Sequence, residues 1–491
     1  MLKPSVLCLL AALLFAPALS AQEAAPAGAA DTQGAAGGGA SGAAASGAGD
    51  EGDFFGTAPV EAPKGTADKQ NLLEDVEKER VGLSGILQAT GTYNLTRDFV
   101  LNGAAVGSNP FSGMLTGDFL VDIRLKKSFR AFIDLDVGYV NGGMPVPINF
   151  TTTAPVTVLP IGAIPPGTLI SATQNQITLL GLREFFVDFN AANTVYFRAG
   201  KQVLQWGTGY FWNPTDLINI EHKSFTNLTA LLDGVFGLRT DVVFAREFHL
   251  YTFVNLNGIT DITGVALAAR TEFLVGTFEF GFSAWAKPNK IPVFGTDLTT
   301  PLFWNINLTG EASFSWGDNQ DKYDPVTLQP YSIRDRLVPK VDIGLSRSFD
   351  AGNVQDRIMV NGEFFYNDSG YDQNMFQALN GNPALATFLT GGYFQPGYYG
   401  RYYGALFVTI NQFIIHDMTL SLSGLGNFSD LTGIVLAMLT YTPVNNFELS
   451  LQVGGYILGM FNGEYTISPN PSTGGLGANM FFASLGAKVS F

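Results

Sequence analysis

Apolar and polar residues alternate along most of the chain, and the alternation is clearest at its C-terminal end. In Phe481–Phe491 every second side chain is apolar, and the side chains between them are mostly small or polar. Successive side chains of a strand point to opposite faces of a sheet, so this segment has one apolar face and one wetter face. The same rhythm predicts strands in 131–139, 278–284, 306–316 and 447–457.

The connections between these predicted strands alternate between short and long. Strands of about ten residues with a two-residue period, joined by short turns on one side and longer loops on the other, are typical of transmembrane β-barrels. The short connections are predicted near 127–128, 192–193, 246–247, 276–277, 415–416 and 443–445, and the long ones near 95–114, 141–181, 205–232, 317–337, 369–400 and 459–477.

The pattern by itself yields about 17 strands, whereas single-chain bacterial barrels have an even number. Counting from the two ends of the chain disagrees only between residues 277 and 303. We therefore predict one further strand around Ile291 to Thr299, where prolines interrupt the alternation. The predicted fold is an all-β, antiparallel transmembrane barrel of about 18 strands, with 16 as the alternative, and either size encloses an aqueous lumen.

Three other segments are predicted before the barrel. Residues 1–21 have the charge, apolar core and small-residue cleavage site of a signal peptide, and they contain the single cysteine, Cys8. Residues 22–70 are rich in Ala and Gly and cannot bury a core, which predicts a disordered periplasmic segment. Residues 71–80 are predicted to form a short helix leading into the barrel, which then occupies 81–491.

The composition supports residence in a membrane. Charged residues make up 14% of the chain, against about 25% in soluble domains. No other segment is long and apolar enough for a membrane helix, so any span must be made of strands in a closed barrel. The net charge of −15 opposes binding to nucleic acid, whose phosphates would be repelled. The predicted location is the bacterial outer membrane.

Charged residues on the polar face of the predicted strands are candidates for lining the lumen. Charged side chains in a pore can select ions by sign. Acids outnumber bases in this set, which predicts a mild preference for cations, although paired charges that simply wet the lumen are the alternative. The predicted pore-lining residues are Asp118, Asp122, Arg124, Asp134, Asp136, Arg198, Glu279, Glu311, Asp342, Glu363, Glu448 and Lys488.

The densest motif is Gly200–Leu217, which reads GKQVLQWGTGYFWNPTDL and follows a predicted strand. It resembles a porin-like family of bacterial outer-membrane β-barrels with the pattern G-[K/R]-Q-x-x-x-W-G-x-G-x-x-x-N-P-T-D-L. The resemblance implies a channel-forming barrel of unassigned substrate. Two interpretations remain open: an aromatic girdle at the membrane interface, or a loop that folds inward and constricts the pore through Trp206, Trp212, Asn213 and Asp216.

The chain ends on Phe491 at the close of its clearest alternating segment. This ending resembles the terminal strand of bacterial outer-membrane barrels, in which a final Phe is part of the assembly signal. The resemblance implies the barrel-assembly machinery as a partner. Outer-membrane lipid and lipopolysaccharide are the other expected partners, and a homo-oligomer is left open.

Signals for catalysis are poor. The three histidines are far apart, and neither an H-E-x-x-H nor a G-x-S-x-G motif occurs. We therefore predict no enzyme activity, no metal and no cofactor. The favoured function is passive diffusion of small hydrophilic solutes. The alternatives are a surface structural or adhesive protein with an occluded lumen, and a transporter of apolar molecules that uses the apolar loop around 156–161.

Overall fold

The computed structural model describes most of the chain from Arg80 onward. The described residues are 80–97, 111–125, 129–142, 169–173, 176–191, 194–218, 233–245, 248–257, 259, 264–379, 382–457, 463–470 and 475–491. The predicted signal peptide, the Ala/Gly-rich segment, nearly all of the predicted helix at 71–80 and the apolar loop at 156–161 lie outside these residues. No helix within the described part is long and apolar enough to cross a membrane.

The described residues form a closed antiparallel barrel of 18 strands, as the alternation and the even-number rule together predicted. Each strand is hydrogen-bonded to the next strand of the barrel, and the first strand (Arg80–Arg97) pairs with the last (Gly475–Ser490) to complete the circle. The barrel strands are β1 (Arg80–Arg97), β2 (Phe111–Leu125), β3 (Phe129–Gly142), β5 (Gln176–Ala191), β6 (Val195–Gln202), β7 (Val235–Ala245), β8 (Phe248–Asn255), β9 (Ala266–Val275), β10 (Phe278–Ala286), β11 (Val293–Pro301), β12 (Ile306–Trp316), β15 (Leu337–Ala351), β16 (Val354–Asn367), β17 (Tyr402–Ile410), β18 (Met418–Asn427), β19 (Thr432–Val444), β20 (Phe447–Ile457) and β22 (Gly475–Ser490).

The strand predicted around Ile291 to Thr299 is present as β11. It pairs with β10 on one side and with β12 on the other, and it restores the even number of strands. The long connections contain further short elements. Two short strands, β4 (Leu169–Thr173) and β21 (Ile467–Asn470), pair with β5 and β22 respectively. Two others, β13 (Lys322–Asp324) and β14 (Gln329–Tyr331), pair with each other, and two short helices span Met375–Ala378 and Ala384–Thr390.

The outer face of the barrel is apolar and exposed. Leu83, Phe282 and Leu485 are 75%, 53% and 65% exposed, which would be costly in water but suits a lipid environment. Exposed aromatic residues gather beside the short connections at one end of the barrel, as in the girdles of outer-membrane barrels. They are Phe189, Tyr196, Phe244, Phe273, Phe278, Phe303, Trp304 and Phe413. The chain is therefore a transmembrane barrel of the bacterial outer membrane.

The barrel closes at the junction between β1 and β22. The Gly85 amide donates to the Phe491 carbonyl at 2.8 Å, and the Phe491 amide donates to the Gly85 carbonyl at 2.9 Å. A Cβ atom at Gly85 would lie 2.6 Å from the Phe491 ring and 2.9 Å from the Asp118 carbonyl oxygen. Glycine at position 85 thus lets the last aromatic ring lie directly on the closing strand.

Replacing Gly85 with alanine should weaken this closure. The new methyl group would overlap the Phe491 ring and the backbone of β2, and overpacking of this kind typically costs about 1–3 kcal/mol. The measurement is the temperature at which the refolded barrel loses its heat-modifiable migration in gel electrophoresis. Gly91→Ala on the same strand is the control, since nothing lies within 4 Å of a Cβ there. Equal midpoints for the two variants would contradict the expectation.

Candidate functional site

The loop that follows β6 reaches across the barrel to strands on its other side. Its described part, 203–218, makes hydrogen bonds to side chains of β12 and β16, although the loop connects β6 to β7. The strands in between belong to the same closed wall, so the loop can reach β12 and β16 only through the interior. We call residues 206–216 the inward loop. Its bonds identify the face of the wall that contains Glu311 and Glu363 as the lumen face.

Glu311 on β12 binds the first part of the inward loop. Its Oε2 accepts hydrogen bonds from the backbone amides of Thr208 at 2.9 Å and Gly209 at 3.2 Å. Its Oε1 accepts from both the amide and the hydroxyl of Thr215, each at 2.6 Å. Hydrogen bonds to an ionised acceptor are the strong ones, so a single wall carboxylate fixes both ends of this turn of the loop.

Glu363 on β16 binds the middle of the same loop. Its Oε2 accepts from the Phe211 amide at 2.8 Å, and its Oε1 accepts from the Tyr210 amide. The fully buried Trp212 follows, with its indole stacked on Phe365 of β16 at a centroid distance of 5.7 Å and an interplanar angle of 11°. The loop is thus attached to the wall by carboxylates and by an aromatic anchor.

Two glycines of the motif allow this close approach. A Cβ atom at Gly207 would lie 2.5 Å from Oε2 of Glu311, and Gly207 has a φ of +108°, which side chains other than glycine rarely adopt. A Cβ atom at Gly209 would lie 2.0 Å from the Trp212 carbonyl oxygen. The W-G-x-G part of the motif therefore matches the backbone geometry that the wall carboxylates require.

Other loops pack against the inward loop and support it. The Trp212 indole donates to the Gly397 carbonyl at 2.9 Å, and the amide of Asn213 donates to the Tyr398 hydroxyl at 3.2 Å. The Gly397 amide donates in turn to Glu464, in the connection between β20 and β22. Burial raises the pKa of the Glu464 carboxyl to about 8. Three loops are therefore joined in one hydrogen-bonded group around Trp212.

A second charged cluster lies on the lumen face of β2, β3 and β5. The Nη1 atom of Arg183 lies 2.5 Å from Oδ1 of Asp118 and 3.3 Å from Oδ2 of Asp134, and its Nη2 lies 3.6 Å from Oδ1 of Asp136. Asp134 is opposite Glu184, but Leu135 is opposite Leu182, so Arg183 is the additional residue of a β-bulge. A bulge redirects a side chain, and it brings Arg183 to the same face as Glu184.

Strict alternation assigns Arg183 to the lipid face, and for that reason it is absent from the predicted set. The motif Leu-Arg-Glu-Phe-Phe places two charged residues side by side within an otherwise alternating strand. Adjacent opposite charges in a membrane strand are a signal for a bulge, since a charge on the lipid face costs about 2–4 kcal/mol near the bilayer midplane.

Most of the remaining predicted pore-lining residues are also in ion pairs. Oδ2 of Asp122 lies 2.9 Å from Nη2 of Arg124, and its Oδ1 lies 2.8 Å from Nε of Arg130. Nε of Arg198 lies 2.7 Å from Oδ1 of Asp188, and Nζ of Lys488 lies 4.0 Å from Oε2 of Glu448. Glu279 is half-buried on β10, opposite Thr299 of β11. The assignment of these residues to the pore lining stays a prediction.

The four predicted constriction residues have different surroundings. Trp206 is buried in a cluster with Leu204, Ile218, Val235, Tyr251, Phe253 and Ala268. Trp212 and Asn213 are buried against β16 and the loop containing Gly397. Asp216 is half-buried and closes a turn, because its amide donates to the Asn213 carbonyl at 3.1 Å. Neither tryptophan lies in the exposed aromatic girdle.

Comparisons with known proteins find similarity among solved structures. No protein-family model matches the chain, and no curated protein matches it. The chain is similar to Acinetobacter baumannii OccAB1, with 11% identity over 83% of this chain and 96% of that one and a TM-score of 0.47. It is also similar to Pseudomonas aeruginosa OccK8 (OprE), with 10% identity over 84% and 98% and a TM-score of 0.47. A third similar structure is Pseudomonas aeruginosa OprD, with 8% identity over 85% of this chain and 98% of that one and a TM-score of 0.43.

Replacing Glu311 with glutamine should release the inward loop. The amide group would bring N–H donors toward the amides of Thr208, Gly209 and Thr215, and each hydrogen bond to a charged group that is lost typically weakens the structure by about 1.5–3 kcal/mol. Hydrogen exchange at these amides should become faster, because it reports local opening. Glu279→Gln, at a lumen glutamate with no described hydrogen bond to the loop, is the control. Unchanged exchange at Thr208 and Thr215 would show that Glu311 does not hold the loop.

Proposed function

We propose that the chain forms a passive channel for small hydrophilic solutes across the outer membrane, with a mild preference for cations. The main support is the unequal filling of the lumen. The inward loop covers the wall at β12 and β16, where Glu311 and Glu363 are buried. On the opposite side, Asp136, in the middle of β3, keeps a side chain that is 28% exposed, and the side chains of Asp188 and Arg198 on β5 and β6 remain 24% and 22% exposed. Exposed charges on the lumen face are what a water-filled passage requires.

The mechanism that we propose has two parts. The inward loop reduces the free cross-section and thereby sets the size limit. The ion pairs on β2, β3, β5 and β6 line the remaining passage and provide polar groups that replace the water around a solute. The cation preference would come from acids on this wall, such as Asp136. Several of these acids share the single guanidinium of Arg183, so part of their negative charge is not balanced.

Two other functions have less support. A structural or adhesive protein would need an occluded lumen, but the exposed charged wall on β2 and β3 favours an accessible one. A transporter of apolar molecules would need an apolar route, and the described lumen face is charged on most of its strands. The apolar loop at 156–161, which suggested such a route, lies outside the described residues.

Channel activity can be tested with the purified, refolded protein in a planar bilayer. We expect discrete conductance steps whose size increases with salt concentration. Trp212→Ala should enlarge the steps or increase their fluctuation, because it removes the aromatic anchor that packs the inward loop on β16. A silent bilayer from a correctly folded barrel would instead favour the structural or adhesive function.

Cation preference can be tested by neutralising accessible acids in the lumen. Asp122→Asn combined with Asp136→Asn should bring the reversal potential in a salt gradient closer to zero, since charged rings in a pore select by sign. Asp417→Asn, in the short connection between β17 and β18, removes one negative charge outside the lumen and is the control for each of the two exchanges made singly. Reversal potentials equal to those of the unmodified protein would contradict a role for the lumen charges.

A further inference from the structure

Four carboxylates form a row on the lumen face of adjacent strands. Asp297 of β11 is the register partner of Glu311 of β12, and Glu311 is the register partner of Asp342 of β15. Asp342 is opposite Phe365, two residues from Glu363 of β16. All four acids are buried. Like charges opposite each other on neighbouring strands destabilise a sheet, so each member of the row needs compensation.

Three members of the row have visible compensation. Arg270 forms a two-pronged pair with Asp297, with N–O distances of 2.7 and 3.0 Å. Glu311 and Glu363 accept the backbone and hydroxyl donors of the inward loop. Each of these carboxylates therefore lies in a site that stabilises a negative charge.

Asp342 is the exception within the described residues. It is 1% exposed, and neither Oδ1 nor Oδ2 has a hydrogen-bond partner there. Its closest charged neighbours on β12 and β16 are the acids Glu311 and Glu363. Lys340, on the same face of its own strand, has its Nζ 3.9 Å from Asp318. A buried carboxylate without a partner is strongly unfavourable, so something must neutralise it.

The surroundings of Asp342 offer a second oxygen ligand. A Cβ atom at Gly209 would lie 2.9 Å from Oδ2 of Asp342 and 2.0 Å from the Trp212 carbonyl oxygen. The two oxygens therefore lie against the same side of Gly209, between the wall and the inward loop. We propose that Asp342 and the Trp212 carbonyl bind an alkali cation, Na⁺ or K⁺.

The charge balance favours a monovalent ion. Only one carboxylate of the row lacks a donor, and one positive charge neutralises it. The described residues contain no group of three His, Cys, Asp or Glu side chains arranged to hold a metal ion, so the several carboxylates that usually offset the double charge of Ca²⁺ are missing here. The bound ion would connect the inward loop to β15, between the attachments at Glu311 and Glu363. This role is independent of whether the barrel conducts.

The test is the thermal stability of the purified, refolded protein in different chloride salts. An ion that binds only the folded state stabilises it increasingly with concentration. We expect a higher unfolding midpoint in NaCl or KCl than in N-methylglucamine chloride at equal ionic strength. Asp342→Asn should abolish this difference. Glu448→Gln, at a lumen acid on β20 outside the row, should keep it.

Several outcomes would overturn the proposal. One is an unmodified protein with the same midpoint in all three salts, and another is an Asp342→Asn variant that keeps the difference. A midpoint that varies with pH but not with the cation would place a proton on Asp342 instead. Should the variant fail to fold, crystals of the unmodified protein soaked in Tl⁺ provide a direct test. An anomalous peak within bonding distance of the Asp342 oxygens is expected, and its absence would overturn the site.

Discussion

The structure depends on one constraint, which is that every backbone N–H and C=O group within the lipid must be paired. No water is available there, and an unpaired group costs several kcal/mol. The pairing of β1 with β22 removes the two free edges of the sheet and so satisfies this requirement. An antiparallel sheet can close on itself only with an even number of strands, and the cost of charged side chains on the lipid face keeps its exterior apolar. The polar residues can then collect on the only other face, inside the barrel.

Inside the closed wall, negative side chains have two different functions. On β12 and β16 they are covered, and they hold a loop by its backbone amides. On β2 and β3, Asp118 and Asp136 remain partly exposed and share the guanidinium of Arg183 with the buried Asp134. Charge in this lumen is therefore a structural element on one side and a candidate lining of the passage on the other. The residue type is the same, and its neighbours decide which function applies.

The sequence predicted the fold well, because the two-residue period and the parity rule are geometric properties of a closed sheet. The period located most strands, and parity located β11 despite its prolines. The partners of the lumen charges were not predictable. Arg183 follows the wrong phase because of the bulge, and the bonds from Glu311 to the inward loop join residues about a hundred positions apart. Neither local pattern nor composition carries information about such contacts.

The bulge at Arg183 and Glu184 has a wider physical consequence. A regular strand offers the interior one side chain for every two residues. Here a single inserted residue brings two consecutive side chains of opposite sign to the water side, on Cα atoms about 3.8 Å apart. A strand with a bulge can thus carry more charged side chains per unit length on its lumen face than regular alternation allows. The bilayer meets no additional polar group, and the wall becomes no thicker.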